Sequence, residues 1–236
     1  MNLKHYYYYF KKAIGPNFIE DLKKYVQDKK LESAMTGSAV NEYIDQLQDS
    51  VLKQGLNKLS SKEKIDFVKK NNPKLYDDIV EIRQSDVVWL DDRWIYDELQ
   101  PWVHRANEEA GWNFQWDWSE TVQFTTYSSG GFYSFHQDSW PKPYPNTHQN
   151  PSFRGKIRKL SVTVTLSDPW EYEGGRLEFG FTNFREKEKA KIQQCTEILD
   201  KGSLVVFPSF VWHRVTPVTK GFRQSLVMWN LGHPWK

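Results

Sequence analysis

Apolar residues recur at helical spacing through the first part of the chain and at alternating spacing through the last. After Gly15-Pro16, residues Phe18, Ile19, Leu22, Tyr25 and Val26 fall on one stripe of a helix. Pro16 suits the first helical turn, where its missing N–H has no partner to lose. Residues 39 to 55 repeat the pattern through Val40, Tyr43, Ile44, Leu47 and Val51. Ser60-Ser61-Lys62-Glu63 has the form of a capping box and opens a short helix with Ile65 and Val68 turned inward. A further helix is expected from Trp94 to about Glu109, with Trp94, Ile95, Leu99, Trp102, Val103 and Ala106 on its buried face. Pro101 is expected to kink or divide it.

After Gly111 the period changes. Thr121 to Thr125 alternates with period two, the mark of a half-buried strand, and Phe132 to Phe135 is a second short strand. Leu160 to Leu166, reading LSVTVTL, is β-branched and strand-like. Gly174-Gly175 and Lys201-Gly202 are turns, each followed by a strand: Arg176 to Phe181 and Leu204 to Phe207. Gln224 to Trp229 is the last clear strand. Residues 139 to 156 are proline-rich and are read as irregular, and the charged run 184 to 197 as an exposed loop or helix. Short strands between Gly and Pro turns indicate an antiparallel sandwich or jelly roll. Residues 31 to 85 are polar and lysine-rich, and read as an addition that covers the core or meets a partner.

Composition narrows the class. A length of 236 residues suits one large domain, and 39% hydrophobic residues with 11 Trp, 12 Tyr and 14 Phe exclude a disordered chain. Lys plus Arg at 32 against Asp plus Glu at 30 gives a net charge of +2, which offers no electrostatic case for nucleic acid or an anionic membrane. The one cysteine, Cys195, has no internal disulfide partner. No apolar run reaches the roughly 18 residues of a membrane span, and the N-terminal residues do not read as a signal peptide. The expectation is a soluble cytoplasmic protein. Its oligomeric state is not legible.

Candidate chemistry begins at His136-Gln137-Asp138. On an extended strand, residues i and i+2 share a face, so the imidazole and carboxylate can bind one metal ion. His213, from a later strand, completes a two-histidine, one-carboxylate set of the kind that holds non-haem Fe(II) with open positions. Arg223 follows ten residues on, past Gly221, where a guanidinium can grip a carboxylate through two hydrogen bonds. His5, His104, His148 and His233 lack partners at ligand spacing. Trp112, Trp116 and Trp118 are read as sheet-face packing, with an aromatic binding platform as the alternative.

With these motifs the sequence resembles the Fe(II)- and 2-oxoglutarate-dependent oxygenases, in their prolyl-4-hydroxylase-like branch, and within it the bacterial and phage-type hydroxylases. The resemblance rests on TTYSSGGFYSFHQD (125 to 138), RKLSVTVTLSDPWEYEGGRLEF (158 to 179) and HRVTPVTKGFRQSLVMWN (213 to 230). VVWLDDRWIYDELQPWVHRAN (87 to 107) resembles the helix before the barrel. It covers residues 87 to 232, residues 1 to 30 more loosely, and 31 to 85 not at all.

The resemblance implies an α+β fold: a double-stranded β-helix (jelly-roll) core with N-terminal helices packed against it. It implies one catalytic domain over 1–236, mainly helical to 110 with a variable insert at about 31–85, and the β-helix core over 111–236. It places the metal ligands on His136, Asp138 and His213, and the 2-oxoglutarate arginine on Arg223. Tyr127, Thr165 and Trp229 are implied on the cofactor side, and Tyr133, Arg158 and Trp229 on the substrate side. The implied cofactors are Fe(II) and 2-oxoglutarate, with O2 as co-substrate and ascorbate as a supporting reductant. Asp138 favours hydroxylation, because related halogenases lack that carboxylate. The expected substrate is a prolyl residue of a peptide or protein. A free amino acid or small metabolite, or a non-catalytic jelly-roll binding protein, are the alternatives. A nucleobase substrate is disfavoured, because RQSLVMW after His213 departs from the arginine-rich pattern of the nucleic-acid demethylases.

Overall fold

The computed structural model describes residues 3–34, 40, 43–44, 46–59, 61–139, 142–181 and 191–235. The N-terminal part contains β1 (Tyr8–Phe10), α1 (Pro16–Gln27), β2 (Glu32–Ser33), α2 (Ser50–Asn57), α3 (Ser61–Asn71) and α4 (Pro73–Val80). Then come β3 (Arg83–Gln84), β4 (Asp86–Leu90) and α5 (Arg93–Glu109). The rest is mostly strand: β5 (Trp118–Ser119), β6 (Val122–Tyr127), β7 (Phe132–His136), β8 (Ile157–Thr165), β9 (Tyr172–Gly174) and β10 (Leu177–Gly180). The last are β11 (Ile192–Gln194), β12 (Leu204–Pro208), β13 (Trp212–Val215), β14 (Val218–Gly221) and β15 (Arg223–Gly232).

A major sheet of eight strands runs in the order β1-β12-β8-β15-β6-β4-β2, with β5 also on β15. A second sheet has the order β11-β10-β13-β7-β3, and β14 pairs with β9. Every pairing is antiparallel. This is the α+β architecture of the double-stranded β-helix, with helices against the outer face of one sheet. Among the described residues no helix is long and apolar enough to cross a membrane.

The alternation of β8 drives the layering. Leu160, Val162 and Val164 join Val122, Phe124, Leu204, Val206, Leu226 and Met228 in one apolar cluster. Ile19 and Leu22 of α1 and Ile95, Leu99, Val103 and Ala106 of α5 close it from the other side. Each such side chain, when fully buried, contributes about 1.5–3 kcal/mol. A second cluster, containing Leu177, Phe179, Val205, Phe207, Val211 and Val215, lies between the sheets. Within 31 to 85, Val40, Ile44, Leu56, Ile65 and Val68 form a third cluster of their own. That segment also adds β2 to the edge of the major sheet and β3 to the edge of the second.

Several expectations change. Val51 is 79% exposed rather than on a buried stripe. Asp49 starts a new helix there, its Oδ1 accepting from the N–H groups of Val51 and Leu52. Ser60 of the expected capping box lies outside the described residues, as do 39, 41–42 and 45 of the preceding stripe and 184–190 of the charged run. Trp94 is half-exposed, edge-on to Phe18 at 5.0 Å. Pro101 lies inside α5 without dividing it. Val87 to Leu90 is strand rather than helix. Thr121 is exposed, but 122 to 125 are buried on both faces, because the second sheet covers the polar side. Trp116 stacks near His104 of α5 at 4.5 Å, so it packs on a helix rather than a sheet face.

Candidate metal centre

Strands β7 and β13 are neighbours, and their register sets His213 opposite His136. Asp138 follows β7 by two residues. Its N–H donates to the Ser209 carbonyl at 2.9 Å, which pins the chain beyond the strand end. One ligand atom from each of His136, Asp138 and His213 lies within 4.8 Å of the others. Asp138 Oδ1 is 3.6 Å from His136 Nε2, and its Oδ2 is 3.5 Å from His213 Nε2.

The other ring nitrogens settle the tautomers. His136 Nδ1 is 2.8 Å from the Ser134 carbonyl and His213 Nδ1 is 3.0 Å from that of Val211. A carbonyl only accepts, so each Nδ1 carries a proton, and in the neutral imidazole Nε2 is the nitrogen left to bind a metal. Ser161 Oγ donates to Asp138 Oδ2 at 2.7 Å and lies 2.9 Å from Ser209 Oγ, fixing the carboxylate. Burial raises the Asp138 carboxyl, but His213 and His136 outweigh it and hold the group well below the usual carboxylate range. Burial, helped by His136, pushes His213 down to about 4, so its imidazole is neutral near pH 7. Two imidazole nitrogens and one carboxylate, all buried or half-buried, are the donor set of a facial triad.

Arg223 opens β15 opposite Tyr127 of β6 and lines the same pocket as the triad. Its guanidinium is buried, 5.6 Å from the Tyr127 ring. Its Nη1 donates to Ser225 Oγ at 3.3 Å, and among the described residues no carboxylate pairs with it. A buried cation in that state is costly until an anion joins it. Gly175 makes room for its stem: φ is +56°, and a Cβ there would meet Arg223 Cδ at 3.1 Å and Val218 Cγ2 at 2.9 Å.

Tyr133 stacks on the His136 ring, with centroids 3.5 Å apart and 13° between planes, and its phenol is pushed by burial up to about 12. Trp229 lines the pocket, and its buried Nε1–H has no partner among the described residues. Arg158 lies 4.0 Å above the Trp229 ring but outside the pocket lining. It makes a forked pair with Glu120, Nε to Oε1 at 2.7 Å and Nη2 to Oε2 at 2.6 Å, which Tyr144 joins through its hydroxyl at 3.1 Å.

Thr165 requires correction. It is buried on β8 beside Ser225, but it is not part of the pocket wall, and its hydroxyl donates to the Ile198 carbonyl at 2.7 Å. Thr163, one step along the same face, lines the pocket instead. Sequence reasoning also missed Ser161, Ser209, Glu120 and Arg83. The alternation in LSVTVTL put Ser161, Thr163 and Thr165 on one face; nothing in it said which was level with Asp138 or Arg223. Arg83 comes from the segment with no resemblance and carried no motif.

Residues 122–230 match the family model described as the 2OG-Fe(II) oxygenase superfamily. Among curated proteins, a PKHD-type hydroxylase of Teredinibacter turnerae is 40% identical over 107 residues, 45% of this chain and 41% of the relative. The PKHD-type hydroxylase YbiX of Escherichia coli is 37% identical over 109 residues, 46% of this chain and 42% of the relative. The matched segment thus spans about two fifths of these relatives. A viral collagen prolyl hydroxylase from Paramecium Bursaria Chlorella virus-1, solved with 2OG, is similar over 97% of both chains, with TM-score 0.54 and 15% identity. A prolyl hydroxylase from Trichoplax adhaerens, solved with a hypoxia inducible factor peptide fragment, has TM-score 0.53 and 15% identity, covering 96% of this chain and 84% of its own. At these identities the structural likeness concerns the fold.

Proposed function

We propose that this chain, which matches the model of the 2OG-Fe(II) oxygenase superfamily over residues 122–230, hydroxylates an unactivated C–H, with a prolyl residue of a peptide or protein as substrate. One observation carries the reading: the buried guanidinium of Arg223, without a carboxylate partner among the described residues, shares a pocket with the His136, Asp138 and His213 cluster. A site for a divalent metal and a site for a carboxylate therefore face one small space.

His136, Asp138 and His213 would hold Fe(II), and Arg223 the far carboxylate of 2-oxoglutarate. Bound there with O2, this pair supplies oxidation of the C–H bond, with 2-oxoglutarate decarboxylated to succinate. The chain's own work is positioning and exclusion of water. The Ser161 hydroxyl fixes Asp138, and the Ser134 and Val211 carbonyls fix the two rings. Trp229 offers an indole N–H to a substrate, Tyr133 backs the His136 ring, and Val215 and Val227 keep the wall apolar. Arg158, held by Glu120, orients Trp229 from outside the pocket.

Anaerobic addition of Fe(II) and 2-oxoglutarate, followed by visible absorption, tests the reading. A metal-to-ligand charge-transfer band is expected in the wild type, lost in Asp138→Ala and shifted to much higher 2-oxoglutarate concentration in Arg223→Ala. No band from folded protein overturns the oxygenase reading. With the band present, a mass gain of one oxygen in proline peptides supports the prolyl assignment. Succinate release with no peptide consumed moves the substrate to a free amino acid or small metabolite.

A further inference from the structure

The pocket contains a second buried guanidinium that the proposed reaction does not use. Arg83 belongs to β3, which pairs with the metal-site strand β7 through Arg83 opposite Tyr133 and Gln84 opposite Phe132. The pairing is extended by the Ser134 N–H to the Ile82 carbonyl at 2.8 Å and the Ser134 hydroxyl to the Glu81 carbonyl at 3.0 Å. Backbone pairing thus sets where Arg83 enters the barrel. Its side chain is buried and lines the pocket. The guanidinium lies 4.7 Å from the Tyr133 ring, whose other contact is the stacked His136. Nε donates to Ser85 Oγ at 2.9 Å, and among the described residues the terminal nitrogens have no partner and no carboxylate pairs with it.

Charge bookkeeping makes this arginine informative. A divalent metal, the Asp138 carboxylate, a dianionic 2-oxoglutarate and the Arg223 guanidinium sum to zero. Arg158 is already neutralised by Glu120. Arg83 is then the one uncompensated charge among the described pocket residues, buried where an unpaired ion is costly and where a ring contact recovers only part of the loss.

We propose that Arg83 is a specificity-determining residue that receives a carboxylate of the substrate, so that the 31 to 85 segment selects substrates bearing an acidic group near the reacting carbon. This rests on the oxygenase reading above. The carboxylate has two sources, an acidic side chain beside the target residue or the free acid of a small molecule, and the test separates them.

Wild-type protein loaded with Fe(II) and 2-oxoglutarate under nitrogen is titrated calorimetrically with two matched pairs. One pair is N-acetylproline and N-acetylprolinamide. The other is the capped dipeptides Pro-Asp and Pro-Asn. The acid of at least one pair is expected to bind about tenfold or more tightly than its neutral partner, and the pair with the larger ratio identifies the source. In Arg83→Gln the ratio falls to near one, and in Arg83→Lys it is partly restored. Both variants are expected to keep the charge-transfer band at wild-type 2-oxoglutarate concentration, which reports folding and leaves Arg223 unaffected. A wild type that forms the band but does not separate acid from amide in either pair, through weak binding or equal binding, overturns the inference. So does a ratio that survives Arg83→Gln, or an Arg83→Gln protein whose 2-oxoglutarate affinity falls with the ratio. A wild type with no band overturns the oxygenase reading, and the inference with it.

Discussion

Strand β8 separates two buried regions of opposite character. Leu160, Val162 and Val164 face the helices in an aliphatic layer. Ser161, Thr163 and Thr165 face the space between the sheets, where His136, Asp138, His213, Arg223 and Arg83 lie. Strand β15 repeats the division, with Leu226 and Met228 on the first side and Arg223, Ser225, Val227 and Trp229 on the second. Both regions exclude water, for different ends. The aliphatic layer is satisfied as it stands, through close packing. Among the described residues, the polar layer holds two guanidinium groups with no carboxylate partner, Arg223 and Arg83, and the unpartnered Trp229 Nε1–H. Burial alone therefore does not separate core from site; buried cations without an anion beside the His136, Asp138 and His213 cluster do.

Substitutions on the two sides should fail differently. The largest effect is expected from Asp138→Ala, which removes the only anion among the ligands: Fe(II) binding and activity fall to background while the melting temperature stays close to wild type. Metal titration with circular dichroism melting checks it, and a variant that still loads iron would break the comparison. Leu160→Ala, on the opposite face, should cost about 2–5 kcal/mol of stability in denaturant unfolding with the charge-transfer band intact. Ser161→Ala acts on the metal through Asp138, so about a 10–100-fold loss of iron affinity is expected with little loss of stability. The smallest effect belongs to Thr165→Val. Its hydroxyl serves the Ile198 carbonyl, so about 1 kcal/mol of stability is lost and the 2-oxoglutarate affinity is unchanged. A fall in that affinity would restore Thr165 to the cofactor pocket.

Much of this division is legible in the residue pattern. LSVTVTL alternates apolar and hydroxyl residues, which announces two faces. His136-x-Asp138, His213 and Arg223 stand out because their chemistry is rare in a strand wall. The stripe at 39 to 55 misled because Val51 continues the period of Val40, Tyr43, Ile44 and Leu47, while Asp49 resets the helix and rotates the face. Val87 to Leu90 was hidden because a fully buried strand and the start of a buried helix are both short apolar runs.

The sequence by itself determined the periods, the faces and the identity of the four residues brought together around the pocket, since side-chain direction follows from local backbone geometry. Tertiary structure alone decided register: that Ser161 meets Asp138, that Thr163 lines the pocket while Thr165 serves Ile198, that Glu120 engages Arg158, and that β3 carries Arg83 to Tyr133. A period of two gives the face a residue points to but not its level along the sheet. That level is set by hydrogen bonds between strands far apart in the chain.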